Sequence, residues 1–159
     1  MGSRWAEGGA LLVWVASAAA VPAAAAQQVR EFGLIGVVTA SDPVLAVGGV
    51  SGALRTSLRT RVTAAIGLGA AGGELAWRGE LLAHFLLNPT RRHGTGVYGA
   101  LGAAMVGGPV DQGYLVLALG LEGRPGAASG WFAEAGVGGG ARLAMGYRWR
   151  RLPPRWPTP

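Results

Sequence analysis

The chain has no cysteine among its 159 residues, so neither a disulfide framework nor a thiolate metal site is open to it. It has no lysine either, all 14 basic residues being arginine, a one-sided usage that fits the base-composition bias of a GC-rich genome. Charged residues make up 14% of the chain, against roughly 25% in soluble domains. Even so, no apolar run after residue 26 approaches the roughly 20 residues a membrane helix needs. Histidine occurs only at His84 and His93, in neither an HExxH motif nor any other ligand spacing, so no metal and no cofactor is expected. The net charge of +6 invites a nucleic-acid reading. Without a basic helix or a base-stacking sheet motif, no nucleic-acid partner is expected.

What is present begins with an export signal. Arg4 precedes an apolar stretch over residues 10–21, then Pro22 and four alanines ending at Ala26. A basic start, a short apolar core and small residues in an A-x-A arrangement are what a secretory signal peptide requires, and cleavage is expected between Ala26 and Gln27. A stretch of about a dozen apolar residues is too short to stay as an anchor helix.

Glycine is abundant, at 29 copies, but without the triplet period of collagen. Nor does a period of 3.6 persist anywhere after Gln27. The repeating unit is a segment of about ten apolar and glycine residues closed by a turn signal. Eight such segments are read, at 30–40, 44–56, 59–70, 74–88, 95–106, 112–123, 130–137 and 141–151. Their length suits tilted strands of about 9 to 11 residues that cross a bilayer, and eight is the smallest even count of such a barrel.

A two-residue repeat sorts the side chains onto two faces. In the last segment Leu143, Met145, Tyr147 and Trp149 oppose Arg142, Ala144, Gly146, Arg148 and Arg150. In the fourth, Arg78, Glu80 and His84 oppose Leu75, Trp77, Leu81, Phe85 and Leu87, and in the sixth four leucines from Leu115 to Leu121 oppose Tyr114, Val116, Ala118, Gly120 and Glu122. Folding segments three and four about Ala71 and Gly72 sets Thr63 across from Glu80 and Arg59 across from His84, with Arg61 diagonal to Glu80. Folding seven and eight about Gly139 sets Trp131 against Tyr147, with Glu134 diagonal to Arg142. Opposite charges then meet on one face. Trp77, Trp131, Tyr147 and Trp149 form the outward aromatic set of an interfacial girdle, the last three at a common level.

A sheet that is oily and aromatic on one face and cationic on the other requires two solvents, and the expected fold is all-β: a closed antiparallel up-and-down transmembrane β-barrel of about eight strands. The domain reading is signal peptide 1–26, outer-membrane barrel 27–151 and a Pro/Arg-rich tail 152–159. The competing reading is a soluble secreted barrel, lipocalin-like, with an apolar core and a polar exterior. Against it, the charged face is mostly Gly, Ala, Thr, Ser and Tyr, small residues suited to the tight interior of eight strands.

With these features the chain resembles the small eight-stranded outer-membrane β-barrel proteins, the OmpA/OmpX-like group. The resemblance covers residues 30–151 and rests on the export signal, the eight alternating strands and the closing segment 141–149. It implies an outer-membrane location in a Gram-negative cell, insertion by the barrel-assembly machinery, contact with outer-membrane lipid and lipopolysaccharide, and a monomer. Two features depart from the group: the chain runs on past Trp149 instead of ending on an aromatic residue, and every connection is short.

No G-x-S-x-G elbow and no His-x-Ser pair of a lipid deacylase is present. The expected role is therefore non-enzymatic, structural or in surface interaction, ahead of a lipid-A-modifying enzyme. The lumen is expected to be plugged by Arg55, Arg59, Arg61, Arg78, Glu80, His84, Glu134, Arg142 and Arg148. Arginine outnumbers carboxylate in that set, so some guanidinium groups are expected to lack a carboxylate and to turn to water, tyrosine hydroxyls or an anion. The run Arg91, Arg92, His93 reads as a solvated basic turn touching anionic lipid or lipopolysaccharide.

Overall fold

Alternation becomes eight antiparallel strands: β1 (Arg30–Ala40), β2 (Leu45–Arg55), β3 (Thr60–Ala71), β4 (Glu74–Leu86), β5 (Thr95–Gly107), β6 (Gln112–Gly123), β7 (Ser129–Val137) and β8 (Ala141–Arg151). The computed structural model describes residues 28–109 and 111–154, and the expected cleavage site at Ala26 and Gln27 lies outside them, as does most of the tail. Each strand pairs with its sequence neighbour, and β1 pairs with β8, from Arg30 opposite Arg151 to Ala40 opposite Ala141, closing the barrel. Closure leaves no sheet edge to aggregate or to sit unpaired in lipid. Eleven residues at about 3.3 Å each, tilted by about 40°, rise about 28 Å, which matches the apolar thickness of a bilayer.

The connections define two ends. Residues 56–59, 87–94 and 124–128 lie at the end where β1 begins and β8 finishes, here the terminal end; residues 41–44, 72–73, 108–109, 111 and 138–140 lie at the far end. The turn between β3 and β4 is a two-residue Gly72-Gly73 loop with both φ values positive, 60° and 90°. Such a turn requires left-handed backbone at both positions, which glycine supplies and alanine resists. This corrects the hairpin expected from Ala71 and Gly72. Moving the turn by one residue shifts the register by two, so that Arg61, not Arg59, faces His84, and Glu80 faces Ala65 instead of Thr63. A two-residue shift leaves every side chain on the same face. The β7–β8 register sets Trp131 opposite Tyr147 and Glu134 opposite Ala144.

The two faces go to opposite environments, and the apolar one is outside. Leu115, Leu117, Leu119 and Leu121 on β6 are 46–82% exposed, while the alternate residues Val116, Ala118, Gly120 and Glu122 are buried. Phe32, Leu34, Ile66, Leu68, Leu81, Leu101, Met105, Leu143 and Met145 continue the exposed apolar band around the other strands. An outer surface of this kind is far larger than the apolar patches that monomeric soluble proteins show. The soluble barrel with an apolar core is thereby overturned: this molecule is inverted, with its charges inside.

Candidate functional site

The lumen is filled rather than open. Toward the far end Val37, Leu45, Val47, Ala71, Ala76 and Ala144 form an apolar cluster, and Leu82, Ala104 and Val116 form a second. The rest is charge. Among the described residues six arginines and four glutamates point inward, joined by ten ion pairs whose side chains are at most 3% exposed.

Two groups of pairs can be distinguished. Nearer the terminal end, Arg55 Nε donates to Glu31 Oε1 at 2.7 Å, and Arg61 Nη1 reaches both Glu31 Oε2 at 3.3 Å and Glu122 Oε2 at 2.9 Å. Glu122 Oε2 also accepts from Arg148 at 3.3 Å and Arg150 at 3.2 Å. Nearer the middle, Glu80 accepts from Arg78 Nε at 2.6 Å and from Arg142 Nε and Nη2 at 3.0 and 2.7 Å. Glu134 joins the groups, taking Arg142 Nη1 at 2.9 Å and Arg148 Nη2 at 3.5 Å, with the Tyr98 hydroxyl donating to it at 2.8 Å.

Aromatic rings fill the space between the charges. The Arg148 guanidinium lies 3.7 Å over the Phe132 ring, and the Arg61 guanidinium lies 5.0 Å from the Tyr98 ring, both within cation–π range. His84 stacks on Tyr98 at 5.2 Å and accepts from Arg61 Nη2 at its Nδ1, 2.8 Å away. Gly120 makes room for this ring, since a Cβ there would come within 2.3 Å of Tyr98 Cζ.

Both mouths are stoppered by the network itself. Arg55 donates to the carbonyls of Pro89 and Pro125, and Arg150 to those of Arg124 and Ala127, which ties the long connections 87–94 and 124–128 across the terminal mouth. At the far end Arg78 donates to Thr39 Oγ1 and the Gly138 carbonyl, beneath a vestibule of about 200 Å³ lined by Ser41, Asp42, Gln112 and Tyr114. Between the mouths, beside Ser51, Thr63 and His84, the free space is about 10 Å³. That is room for about one water molecule, not for a hydrated ion.

Of the lumen residues expected from sequence, Arg55, Arg61, Arg78, Glu80, His84, Glu134, Arg142 and Arg148 are buried in the interior. Arg59 is not: it lies exposed in the β2–β3 turn, one residue before β3 begins, where its backbone N–H donates to Ser57 Oγ and its carbonyl accepts from Leu86 N. The expected proximity of Arg61 and Glu80 is corrected as well, because Arg61 pairs with Glu31 and Glu122. Among the described residues no inward arginine lacks a carboxylate, contrary to the surplus expected. Glu31 lies outside the network expected from sequence, although its signal is present: it shares the buried parity of Gly33, Val37 and Thr39. Glu122 and Arg150 lay on the correct faces but outside the assigned network. On the outside, Trp131, Tyr147 and Trp149 lie toward the terminal end, where Phe32 stacks on Trp149 at 6.2 Å, and Tyr147 meets the edge of Trp149 at 5.2 Å. Trp77 sits near the opposite end, four residues past the Gly72-Gly73 turn.

A closed eight-stranded antiparallel barrel, apolar without and charged within, is the fold of the small outer-membrane β-barrels. Two solved structures that match it belong to that class. The N-terminal β-barrel domain of Pseudomonas aeruginosa OprF superposes with a TM-score of 0.65 at 13% identity, covering 79% of this chain and 98% of that one. Ail, the attachment invasion locus protein of Yersinia pestis, superposes with a TM-score of 0.51 at 12% identity, covering 79% and 99%. No protein-family model matches the chain, and no curated protein matches its sequence.

Proposed function

We propose that this chain is a non-enzymatic bacterial outer-membrane β-barrel protein, exported by its N-terminal signal, with a structural or surface-interaction role and a lumen sealed by Arg/Glu pairs. The observation that carries the reading is the inverted polarity: leucines and aromatics cover the outside while ten ion pairs bridge the inside. Lipid is the solvent such an exterior fits. A pore is disfavoured because arginines from β2, β3, β4 and β8 span the lumen to glutamates on β1, β4, β6 and β7. No catalytic role is proposed for His84, since its ring is enclosed by Arg61 and Tyr98. Between the two non-enzymatic roles we favour the structural one, because connections of two to four residues at the far end offer little area for a partner.

The test is expression of the full chain in a Gram-negative host. The mature protein should begin near Gln27, sediment with outer membranes, migrate differently before and after boiling, and carry no steady current in planar bilayers. Recovery as a buffer-soluble periplasmic protein would overturn the membrane reading. Open-channel conductance would overturn the sealed lumen.

A further inference from the structure

Exposed charge is fully segregated between the two ends. Among the described residues every exposed arginine, at 30, 59, 91, 92, 124 and 151, belongs to the terminal end, while the exposed acids Asp42, Glu74 and Asp111 all belong to the far end. Within the cationic end three of the six converge on one feature. Arg59, Arg91, Arg92 and His93 border an open cleft of about 580 Å³ whose remaining wall includes Leu58 and Leu87.

Three properties make this cleft a site rather than a solvated loop. It is held in shape: the Arg55 guanidinium binds the Pro89 carbonyl, Gly126 N donates to the Arg91 carbonyl, and Arg91 Nη1 donates to the Thr95 carbonyl at 2.9 Å. Its charge is unspent, for no carboxylate of the described residues lies within 4.0 Å of Arg59, Arg91 or Arg92. Its apolar wall is continuous with the outer band, Leu58 and Leu87 being 45% and 50% exposed and Phe85 on the same face 52%.

We infer that the cleft binds the headgroup phosphate of an anionic phospholipid, with the acyl chain laid along Leu58, Leu87 and Phe85. Guanidinium forks match phosphate oxygens in pairs. A free phosphate would use the arginines but leave the leucines in water, whereas a lipid at the bilayer rim satisfies both. The inference rests on the membrane reading above.

The protein is folded into zwitterionic detergent micelles and retained lipid is counted by native mass spectrometry, with phosphatidylglycerol and phosphatidylcholine offered separately and in competition. The wild type should retain one phosphatidylglycerol in about tenfold preference to phosphatidylcholine. The triple variant Arg59→Gln, Arg91→Gln, Arg92→Gln should lose that preference. A charge-matched triple at the same end, Arg30→Gln, Arg124→Asn, Arg151→Gln, should keep it. Equal retention of the two lipids, or equal loss in the two triples, would overturn the site. Displacement of the lipid by millimolar inorganic phosphate would overturn the lipid in favour of the free anion. A chain that folds only in buffer, without detergent or lipid, would overturn the membrane reading itself, and this inference with it.

Discussion

Glu122 accepts from three guanidinium groups with one oxygen, Arg61, Arg148 and Arg150. Buried pairs contribute little net stability compared with an apolar interior, but removing one partner strands the other without solvent. Glu122→Gln should therefore destabilise the barrel by about 3–5 kcal/mol, read from urea unfolding of the protein in lipid vesicles. The middle group offers a sharper test of geometry. A double-mutant cycle on Glu80→Ala and Arg142→Ala should give a coupling of about 0.5–3 kcal/mol, because Arg142 makes two hydrogen bonds to Glu80. The same cycle on Glu80 and Arg61 should give a coupling near zero, since Arg61 is held by Glu31 and Glu122. A large coupling there would mean that the β3–β4 register is wrong.

At the scale of the strand, the two faces of β6 should respond to different changes. Leu117 lies mid-strand and 59% exposed, and Leu117→Arg should cost about 2–4 kcal/mol in a bilayer, while Leu87→Arg at the rim should cost about 0–1 kcal/mol. A penalty that does not vary with depth would contradict the placement of the bilayer around the barrel. On the inward face the limit is space. Gly120→Ala would drive a methyl into the Tyr98 ring, and overpacking of this kind costs about 1–3 kcal/mol. On the outward face of β5, Gly99→Ala, where nothing lies within 4 Å of the added carbon, should stay within about 0.5 kcal/mol of the wild type. Refolding both variants and comparing their urea midpoints at constant slope would check the pair.

At the scale of the whole molecule, the buried network and the exposed charges should part ways in salt. Surface electrostatics are largely screened at about 1 M ionic strength, where the Debye length is about 3 Å, whereas desolvated pairs are not. The unfolding midpoint in lipid should therefore barely move between about 0.1 M and about 1 M NaCl, although attraction of the cationic end to anionic vesicles should fall steeply over the same range. A midpoint that drops in step with the lipid attraction would mean that water and ions reach the lumen.

The sequence by itself determined the strands and their faces, because in a β-strand the period of two is a local property: Leu143 and Arg142 point apart whatever else the chain does. Eight such strands of bilayer-spanning length, with charge confined to one face, were enough to imply a closed barrel, and strand limits such as Arg30–Ala40, Gln112–Gly123 and Ala141–Arg151 follow from turn residues alone. Parity also carried Arg61, Glu80, Glu134 and Arg142 to the inside. Only the tertiary structure decided which of them touch. Partners across the lumen, such as Glu31 with Arg61 or Glu80 with Arg142, are 30 and 62 residues apart. Their meeting depends on the stagger of all eight strands and on a turn whose displacement by one residue moves the register by two. The outward place of the apolar face was legible from the small residues of the charged face, and closure of the barrel settled it, since an alternating sheet can curl either way. Here six arginines and four glutamates pair with one another only when they are curled inward.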